Sequence, residues 1–155
     1  MYGGSPRVSR SYMQSHTSLG CSSVNSMSDT FHESVPYPFI QKLFQIMNGA
    51  NWLTFQVLTR RAERLEELSP ILHWTDNIWV GVSIENNDYV YRAEHLKKSG
   101  AFTKYHSHEP LLCPLPDLNL NGIDWVIVGG ESGPKARPSV TSNMSQFGSV
   151  ASLSL

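Results

Sequence analysis

The stretch Trp125-Val-Ile-Val128, which runs directly into Gly129-Gly-Glu-Ser-Gly-Pro134, decides how the fold of this chain is interpreted. Consecutive β-branched and aromatic residues without polar alternation are typical of a strand that is buried on both faces, as in a parallel sheet. The glycines behind it predict a tight turn at the strand exit, an interpretation that we favour over a phosphate-binding loop because Pro134 lacks an N–H donor. We therefore expect further parallel strands upstream.

Shorter runs upstream predict four more strands, alternating with amphipathic helices. The predicted strands end near Val24 or span Trp52–Leu58, Ile78–Ser83 and Phe102–Ser107. The predicted helices begin after Ser34 with Pro36 in the first turn and Asn48-Gly49 as the stop, span Arg61–Leu68, and span Tyr89–Lys98 with Asn87 or Asp88 as N-cap. The first helix should bury a stripe of Phe39, Ile40, Leu43, Phe44 and Met47.

Alternating strands and helices predict an α/β fold with a parallel sheet of about five strands. The segment 23–138 carries all of this pattern and is too short for a closed eight-fold barrel, which takes about 250 residues. A partial (β/α) barrel or an open parallel sheet is therefore expected. The Ser-rich ends, residues 1–22 and 139–155, lack apolar periodicity and are expected to be disordered.

Composition and charge exclude several function classes. Twelve Lys and Arg against 13 Asp and Glu give a net charge of −1, so no general nucleic-acid binding is expected. The longest apolar run is far shorter than the roughly 20 residues of a membrane helix, and no secretory signal precedes it. A cytoplasmic protein is expected. The two cysteines, Cys21 and Cys113, are expected to be reduced because neither belongs to a closely spaced pair.

Polar side chains follow every predicted strand, which bears on where a site would form. In a parallel sheet the carboxyl ends of the strands lie at one rim, and the loops there carry the chemistry. Carboxylates and guanidinium groups at one rim suit a polar small molecule with cationic and anionic parts. The alternative is that loops are simply polar. The groups are Asn25, Ser26, Ser28 and Asp29; Thr59, Arg60 and Arg61; Ser83, Glu85 and Asn86; Ser107, His108 and Glu109; and Glu131 and Ser132.

Five segments together resemble a phage protein family known as gene product thirty-seven and sixty-eight, a domain of unknown function that is regarded as related to radical-SAM enzymes. The matching segments are Val24-Asn-Ser-Met-Ser-Asp29, Phe55-Gln-Val-Leu-Thr-Arg60, Val80-Gly-Val-Ser-Ile-Glu-Asn86, Glu109-Pro-Leu-Leu112 and Ile123-Asp-Trp-Val-Ile-Val-Gly-Gly-Glu-Ser-Gly-Pro134. They occur in the family's order and with similar spacing.

The resemblance implies a partial barrel of radical-SAM type. In full-length members it implies a three-cysteine loop that holds a 4Fe-4S cluster, on which S-adenosylmethionine binds. Carried over by position, the candidate cofactor or substrate contacts are Ser26, Ser28, Asp29, Thr59, Ser83, Glu85, Glu109, Gly129, Gly130 and Glu131.

This chain departs from the family pattern at three places. Only Cys21 lies near the expected cluster loop, so no cofactor is expected in this chain and it should be catalytically inactive. His106 and His108 stand where the family has apolar strand residues, and Cys113 replaces a glycine. Together with the Ser-rich ends, these departures suggest a truncated or frame-shifted fragment of the family domain.

Several residues admit a chemical and a purely structural interpretation. His106, His108, Glu109 and Cys113 include metal-binding types, but their spacing fits no strong motif, so drifted core positions are favoured. Arg60, Arg61 and Arg64 are interpreted as a solvated helix face compensated by Glu63, Glu66 and Glu67. Core packing is expected for the aromatic residues Trp52, Phe55, Trp79 and Trp125.

Two alternatives to an inactive fragment remain open from the sequence. One is a small module that binds an S-adenosyl compound or a nucleotide at the rim. The other is a protein that binds a partner or associates with itself through an exposed sheet edge. Neither alternative involves nucleic acid or a membrane.

Overall fold

The computed structural model describes residues 21–24 and 29–129. Residues 1–20, the turn at residues 25–28 and the chain from Gly130 onward lie outside the described residues, and so do the predictions made for them. Cys21 and Ser22, which the sequence places in the N-terminal Ser-rich end, belong to the first strand.

Five parallel strands form one sheet in sequential order, β1-β2-β3-β4-β5. This confirms an α/β fold with an open parallel sheet. Each predicted strand is present, with boundaries that shift by at most two residues. The strands are β1 (Cys21–Val24), β2 (Thr54–Thr59), β3 (Ile78–Ser83), β4 (Thr103–His108) and β5 (Trp125–Val128).

Three α-helices connect the strands: α1 (Tyr37–Gly49), α2 (Ala62–Leu68) and α3 (Tyr91–Lys97). Pro36, predicted in the first turn of helix α1, is instead its extended N-cap residue, and Pro38 occupies the first turn, where a missing N–H costs nothing. The helix ends at Gly49, as Asn48-Gly49 predicts. Its buried side chains Ile40, Phe44 and Met47 recur at helical spacing.

The start of α3 differs from the sequence prediction. Asn86, one residue before the predicted N-cap, accepts a hydrogen bond from the backbone N–H of Asp88 at 2.9 Å. It caps a short 3₁₀ turn, Asn87–Tyr89, and the α-helix begins only at Tyr91. The asparagine side chain satisfies a donor of the first turn, so the cap sits where this hydrogen bond forms.

The hydrophobic core lies on one face of the sheet, here called the core face. Alternation along the strands puts Val57, Val80, Val82, Val126 and Val128 on this face, and all of them belong to the main core cluster. The same cluster contains the buried apolar side chains of all three helices. The described helices therefore cover one face of the sheet.

The opposite face, here called the Tyr105 face, carries Leu58, Trp79, Gly81, Ser83, Tyr105, Ser107 and Trp125. Near the amino ends of the strands, the rings of Trp79 and Trp125 stack with centroids 5.9 Å apart. Next along the strands, the ring of Tyr105 lies over Gly81, where an added Cβ would come within 2.4 Å of it. Gly81 is therefore required for this close packing.

Three apolar residues that the sequence places in buried elements are exposed. Trp52 is 72% exposed because the backbone turns at Ala50–Leu53, with the Leu53 N–H donating to the Ala50 carbonyl, before β2 begins. Phe39 precedes Ile40 by one residue, which turns it away from the buried stripe of α1, and it is 61% exposed. Phe102 precedes β4 and is also exposed.

In the described part of the chain, no helix has the length and apolar character needed to cross a membrane.

Candidate ligand-binding rim

The carboxyl ends of the parallel strands bring the described candidate residues to one edge of the sheet. This edge is here called the rim. It consists of Asp29, Thr59, Arg60, Ser83, Glu85, Ser107, Glu109 and Gly129. Ser26, Ser28, Gly130 and Glu131, which were also predicted as contacts, lie outside the described residues.

Asp29 organises the end of β2. Its Oδ1 atom accepts hydrogen bonds from the Thr59 hydroxyl at 2.7 Å and from the Phe31 N–H at 3.0 Å, and its Oδ2 atom accepts from the Arg60 N–H at 3.0 Å. Thr59 Oγ1 in turn accepts from the Arg61 N–H at 2.9 Å. Both side chains are thus engaged within the protein, which makes them residues that position Arg60.

Glu85 lies between two arginines of different accessibility. Its Oε1 is 3.1 Å from Nε of Arg60, whose side chain is 60% exposed. Its Oε2 is 3.4 Å from Nη1 of Arg92, whose side chain is 8% exposed. Two guanidinium groups therefore share the Glu85 carboxylate, while the Asp29 carboxylate lies next to the Arg60 backbone.

The backbone that carries Glu85 is held by three donors from different elements. The Ser83 carbonyl accepts from Arg92 Nη1 at 2.7 Å, the Ile84 carbonyl from His108 Nδ1 at 2.7 Å, and the Glu85 carbonyl from the Leu112 N–H at 3.1 Å. Three consecutive carbonyls, from the last residue of β3 onward, are therefore satisfied by partners from other parts of the chain, which fixes this segment.

Arg92 is positioned by a second contact besides its hydrogen bond to Ser83. Its guanidinium carbon lies 4.1 Å from the centroid of the Tyr89 ring, within the range of a cation–π interaction. The guanidinium is thus held between the ring and the end of β3. Arg92 was not among the residues predicted for the rim, and its place as the second residue of α3 gave no signal in the sequence.

Glu109 forms the other side of the rim. Its Oε2 accepts a long hydrogen bond from the Ser107 hydroxyl at 3.4 Å. Its carboxyl group lies against Gly129, where an added Cβ would come within 2.7 Å of Oε1. Gly129 therefore contributes space for the Glu109 carboxylate at the end of β5.

A Ser-x-Glu pattern is repeated on neighbouring strands, as Ser83-Ile84-Glu85 and Ser107-His108-Glu109. Ser83 and Ser107 are direct register partners, so the two hydroxyl-bearing residues are adjacent and the two carboxylates follow them at the rim. Across the rim, the accessible guanidinium of Arg60 lies at the end of β2, and the Glu109 carboxylate lies at the ends of β4 and β5.

The two histidines of β4 lie on the core face and are both fully buried, with rings 5.7 Å apart. His108 makes a hydrogen bond within the core. Its Nδ1 must carry the proton, because the Ile84 carbonyl can only accept. The interpretation of His108 as a drifted core position misses this bond, which links β4 to the Glu85 segment.

His106 fits that interpretation better. Neither of its ring nitrogens has a hydrogen-bond partner among the described residues. Burial lowers the pKa of His106 to about 3, and the nearby His108 and Lys97 add to the effect. Burial also lowers the pKa of His108, to about 4, while the bond to Ile84 and the charge of Glu85 oppose the shift. Both imidazoles are therefore neutral at pH 7.

The prediction of a solvated arginine face on α2 is wrong in its partners. Arg64 donates to the carbonyls of His32 and Val35 and so holds the segment that precedes α1. Arg60 pairs with Glu85, and Arg61 approaches Glu33 at 3.9 Å. Glu66 pairs with His95 and Lys98 of the α3 region. Contacts between elements, which sequence spacing cannot reveal, replace the predicted contacts within one helix.

Among the described residues, no group of three His, Cys, Asp or Glu side chains could hold a metal ion. Cys113 is a free, half-buried thiol that packs against the core cluster.

A family model described as "Protein of unknown function (DUF5131)" matches residues 14–147. The chain belongs to this family. The matched range extends beyond the predicted domain, residues 23–138, at both ends. No curated protein and no solved structure matches the chain.

Proposed function

We propose that this chain binds a small molecule with anionic and hydroxyl or cationic groups, of the S-adenosyl or nucleotide class, along the rim. The observation that carries the proposal is the separation of charge across the rim. An accessible guanidinium at Arg60 lies at one side, and the exposed Glu109 carboxylate lies two strands away. Neighbouring strands are about 4.8 Å apart, so the two groups suit a ligand about 10 Å long.

A partial barrel of radical-SAM type is the architecture that we propose for the fold. Sequential strand order and coverage of only one face by the described helices support it, because right-handed crossovers between successive strands put every helix on the same side. The Tyr105 face would then be the interior of the barrel. Its aromatic layer lies at the bottom, and its serine layer lies next to the rim. The resemblance to the phage family points the same way.

The residues present do not fit an iron–sulfur cluster. A 4Fe-4S cluster needs several thiolates close together. The 155 residues contain two cysteines, of which Cys21 belongs to β1 and Cys113 lies between β4 and β5. We therefore propose a binding function without radical chemistry by this chain alone. After anaerobic reconstitution with iron and sulfide, we expect no 4Fe-4S absorption; a stoichiometric cluster would contradict this part of the proposal.

Calorimetric titration tests the binding function directly. The purified chain is titrated with S-adenosylmethionine, S-adenosylhomocysteine and ATP, and we expect saturable binding of at least one of them. The Glu109→Gln variant should weaken that binding because it removes the carboxylate from one side of the rim. The Glu94→Gln variant is the matched control, since Glu94 is exposed on α3 and pairs with Lys97. The absence of a binding signal with all three ligands would contradict the proposal.

Self-association is a second candidate function. Phe39 and Ile46 lie seven residues apart on α1, which puts them on the same side of the helix, and they are 61% and 59% exposed. Exposed apolar residues on one helix surface favour association with another protein surface. Light scattering of the purified chain and of a Phe39→Lys, Ile46→Lys variant tests this candidate. Monomers in both samples would exclude it.

A further inference from the structure

The described residues include four arginines, of which two are bonded to backbone carbonyls of the protein itself. Arg92 is buried and bonded to the Ser83 carbonyl, and Arg64 is bonded to backbone carbonyls before α1. Arg61 approaches only the exposed Glu33, at 3.9 Å, and its Nε has no hydrogen-bond partner among the described residues, but it makes no contact with a rim carboxylate. Among these four arginines, only Arg60 combines an accessible guanidinium with a contact to the rim carboxylate Glu85.

The contact between Arg60 and Glu85 leaves the outer edge of the guanidinium available. The ion pair is made through Nε. Among the described residues, no second carboxylate lies within ion-pair distance of Arg60. The two terminal nitrogens of a guanidinium form the fork that binds a carboxylate or phosphate with two parallel hydrogen bonds.

The protein also holds Arg60 in place from both ends. Its backbone N–H donates to Asp29 Oδ2 at 3.0 Å, and its Nε is held by Glu85. Glu85 is itself tied to the buried Arg92, so its charge is shared between two cations. Arg60 is therefore held in position before an anion binds, and little of its side-chain freedom has to be lost on binding.

We infer that Arg60 is the anion-binding residue of the rim and that it takes the phosphate or carboxylate of the ligand. This inference rests on the proposed function and adds an orientation to it. The anionic end of the ligand lies over the end of β2, and its hydroxyl or cationic groups lie toward Glu109 at the end of β4. Asp29 and Glu85 act as positioning residues for Arg60.

Two ligands that differ in one anionic group, AMP and adenosine, test the inference by calorimetry. We expect the wild-type chain to bind AMP at least about tenfold more tightly than adenosine. The Arg60→Gln variant should lose that preference and bind adenosine as the wild type does. The Arg61→Gln variant, which removes the neighbouring charge, should keep the preference.

The outcomes separate this inference from the proposed function. If no adenosyl ligand binds the wild type, the proposed function fails. If adenosine and AMP bind equally, or if Arg61→Gln weakens AMP as much as Arg60→Gln does, the assignment of Arg60 fails while the binding function stands. Titration of ¹⁵N-arginine-labelled chain with inorganic pyrophosphate gives an independent readout. The Nε resonance of Arg60 is identified by its absence from the spectrum of Arg60→Gln. This resonance should shift more than those of the other arginines, and the assignment is wrong if it does not shift.

Discussion

Replacing His106 by leucine is expected to raise the free energy of unfolding at pH 7.5 and to make it less dependent on pH. The imidazole is fully buried, and neither ring nitrogen finds a partner among the described residues. Leaving a buried polar group unsatisfied costs about 1 to 3 kcal/mol, whereas leucine fills a similar volume without that cost. We therefore expect a gain of about 1 to 3 kcal/mol at pH 7.5.

The pH dependence follows from the lowered pKa values. An ordinary histidine titrates at 6.5, and His106 titrates at about 3 in the folded protein. Below pH 6.5 the unfolded chain therefore binds a proton that folded His106 does not, so stability is present above 6.5 and is lost as the pH falls. At pH 5 the loss is about 1.5 pH units times 1.36 kcal/mol, or about 2 kcal/mol.

His108 contributes a similar loss, because its folded pKa of about 4 also lies below pH 5. The two histidines together should cost about 4 kcal/mol between pH 7.5 and pH 5 in the wild type. The His106→Leu variant removes one of them, so its loss over this range should be smaller by about 2 kcal/mol. All other titrating groups are shared by the two proteins and cancel in the difference.

Urea unfolding monitored by circular dichroism at pH 7.5, 6 and 5 measures both quantities. The His73→Gln variant is the control, since His73 is exposed and its replacement removes no buried group. Parallel stability curves for wild type and His106→Leu would refute the reasoning about titration. A variant that is less stable than wild type at pH 7.5 would refute the reasoning about the unsatisfied nitrogens.

Three further predictions concern other parts of the fold. Asn77→Ala should lower the free energy of unfolding by about 2 to 3 kcal/mol in urea, because the buried amide donates to the Met47 and Leu53 carbonyls at 3.0 and 3.1 Å; a change below about 0.5 kcal/mol would contradict it. Gly81→Ala should lower the free energy of unfolding by about 1 to 3 kcal/mol, because the added Cβ would clash with the Tyr105 ring. A second substitution, Tyr105→Leu, should recover part of that loss. A near-ultraviolet circular dichroism spectrum identical to that of the wild type would contradict the clash. His95→Gln should raise the pKa of Glu66, because hydrogen bonds from His95 and Lys98 hold that pKa below its usual value; little effect on stability is expected at this exposed site. If the Glu66 pKa measured by carboxyl ¹³C titration is the same in the variant, His95 is not the cause.

The strands could be predicted because their burial follows directly from local composition. Every residue of β3 is buried, and Ile78-Trp-Val-Gly-Val-Ser83 is apolar almost throughout. The ends of elements were less predictable. Trp52 has a strand-like composition, but a turn that begins at Ala50 keeps it out of the sheet. Asn86, Asn87 and Asp88 are all good capping residues, and only the backbone geometry selects Asn86.

The location of the rim was predictable, but the contacts within it were not. Because parallel strands have their carboxyl ends at one edge of the sheet, Asp29, Glu85 and Glu109 can be placed at the rim without knowing their hydrogen-bond partners. The bonds between Asp29 and Thr59 and between Arg60 and Glu85 join residues that are far apart in the chain. Which arginine faces Glu85 depends on the register of β2 and β3, and this register does not follow from the composition of either strand.

The two histidines show most clearly why a departure from a family pattern can be misjudged from sequence. His106 and His108 lie on the same strand, are both buried, and both have lowered pKa values. Only His108 hydrogen bonds to a backbone carbonyl, that of Ile84, which follows the end of β3. Removing the His108 bond would leave the Ile84 carbonyl unsatisfied between two carbonyls that Arg92 and Leu112 hold. Because Glu85 orients Arg60, the loss would extend to the anion-binding end of the rim. A histidine on the core face thus holds the segment that carries Glu85 to the rim.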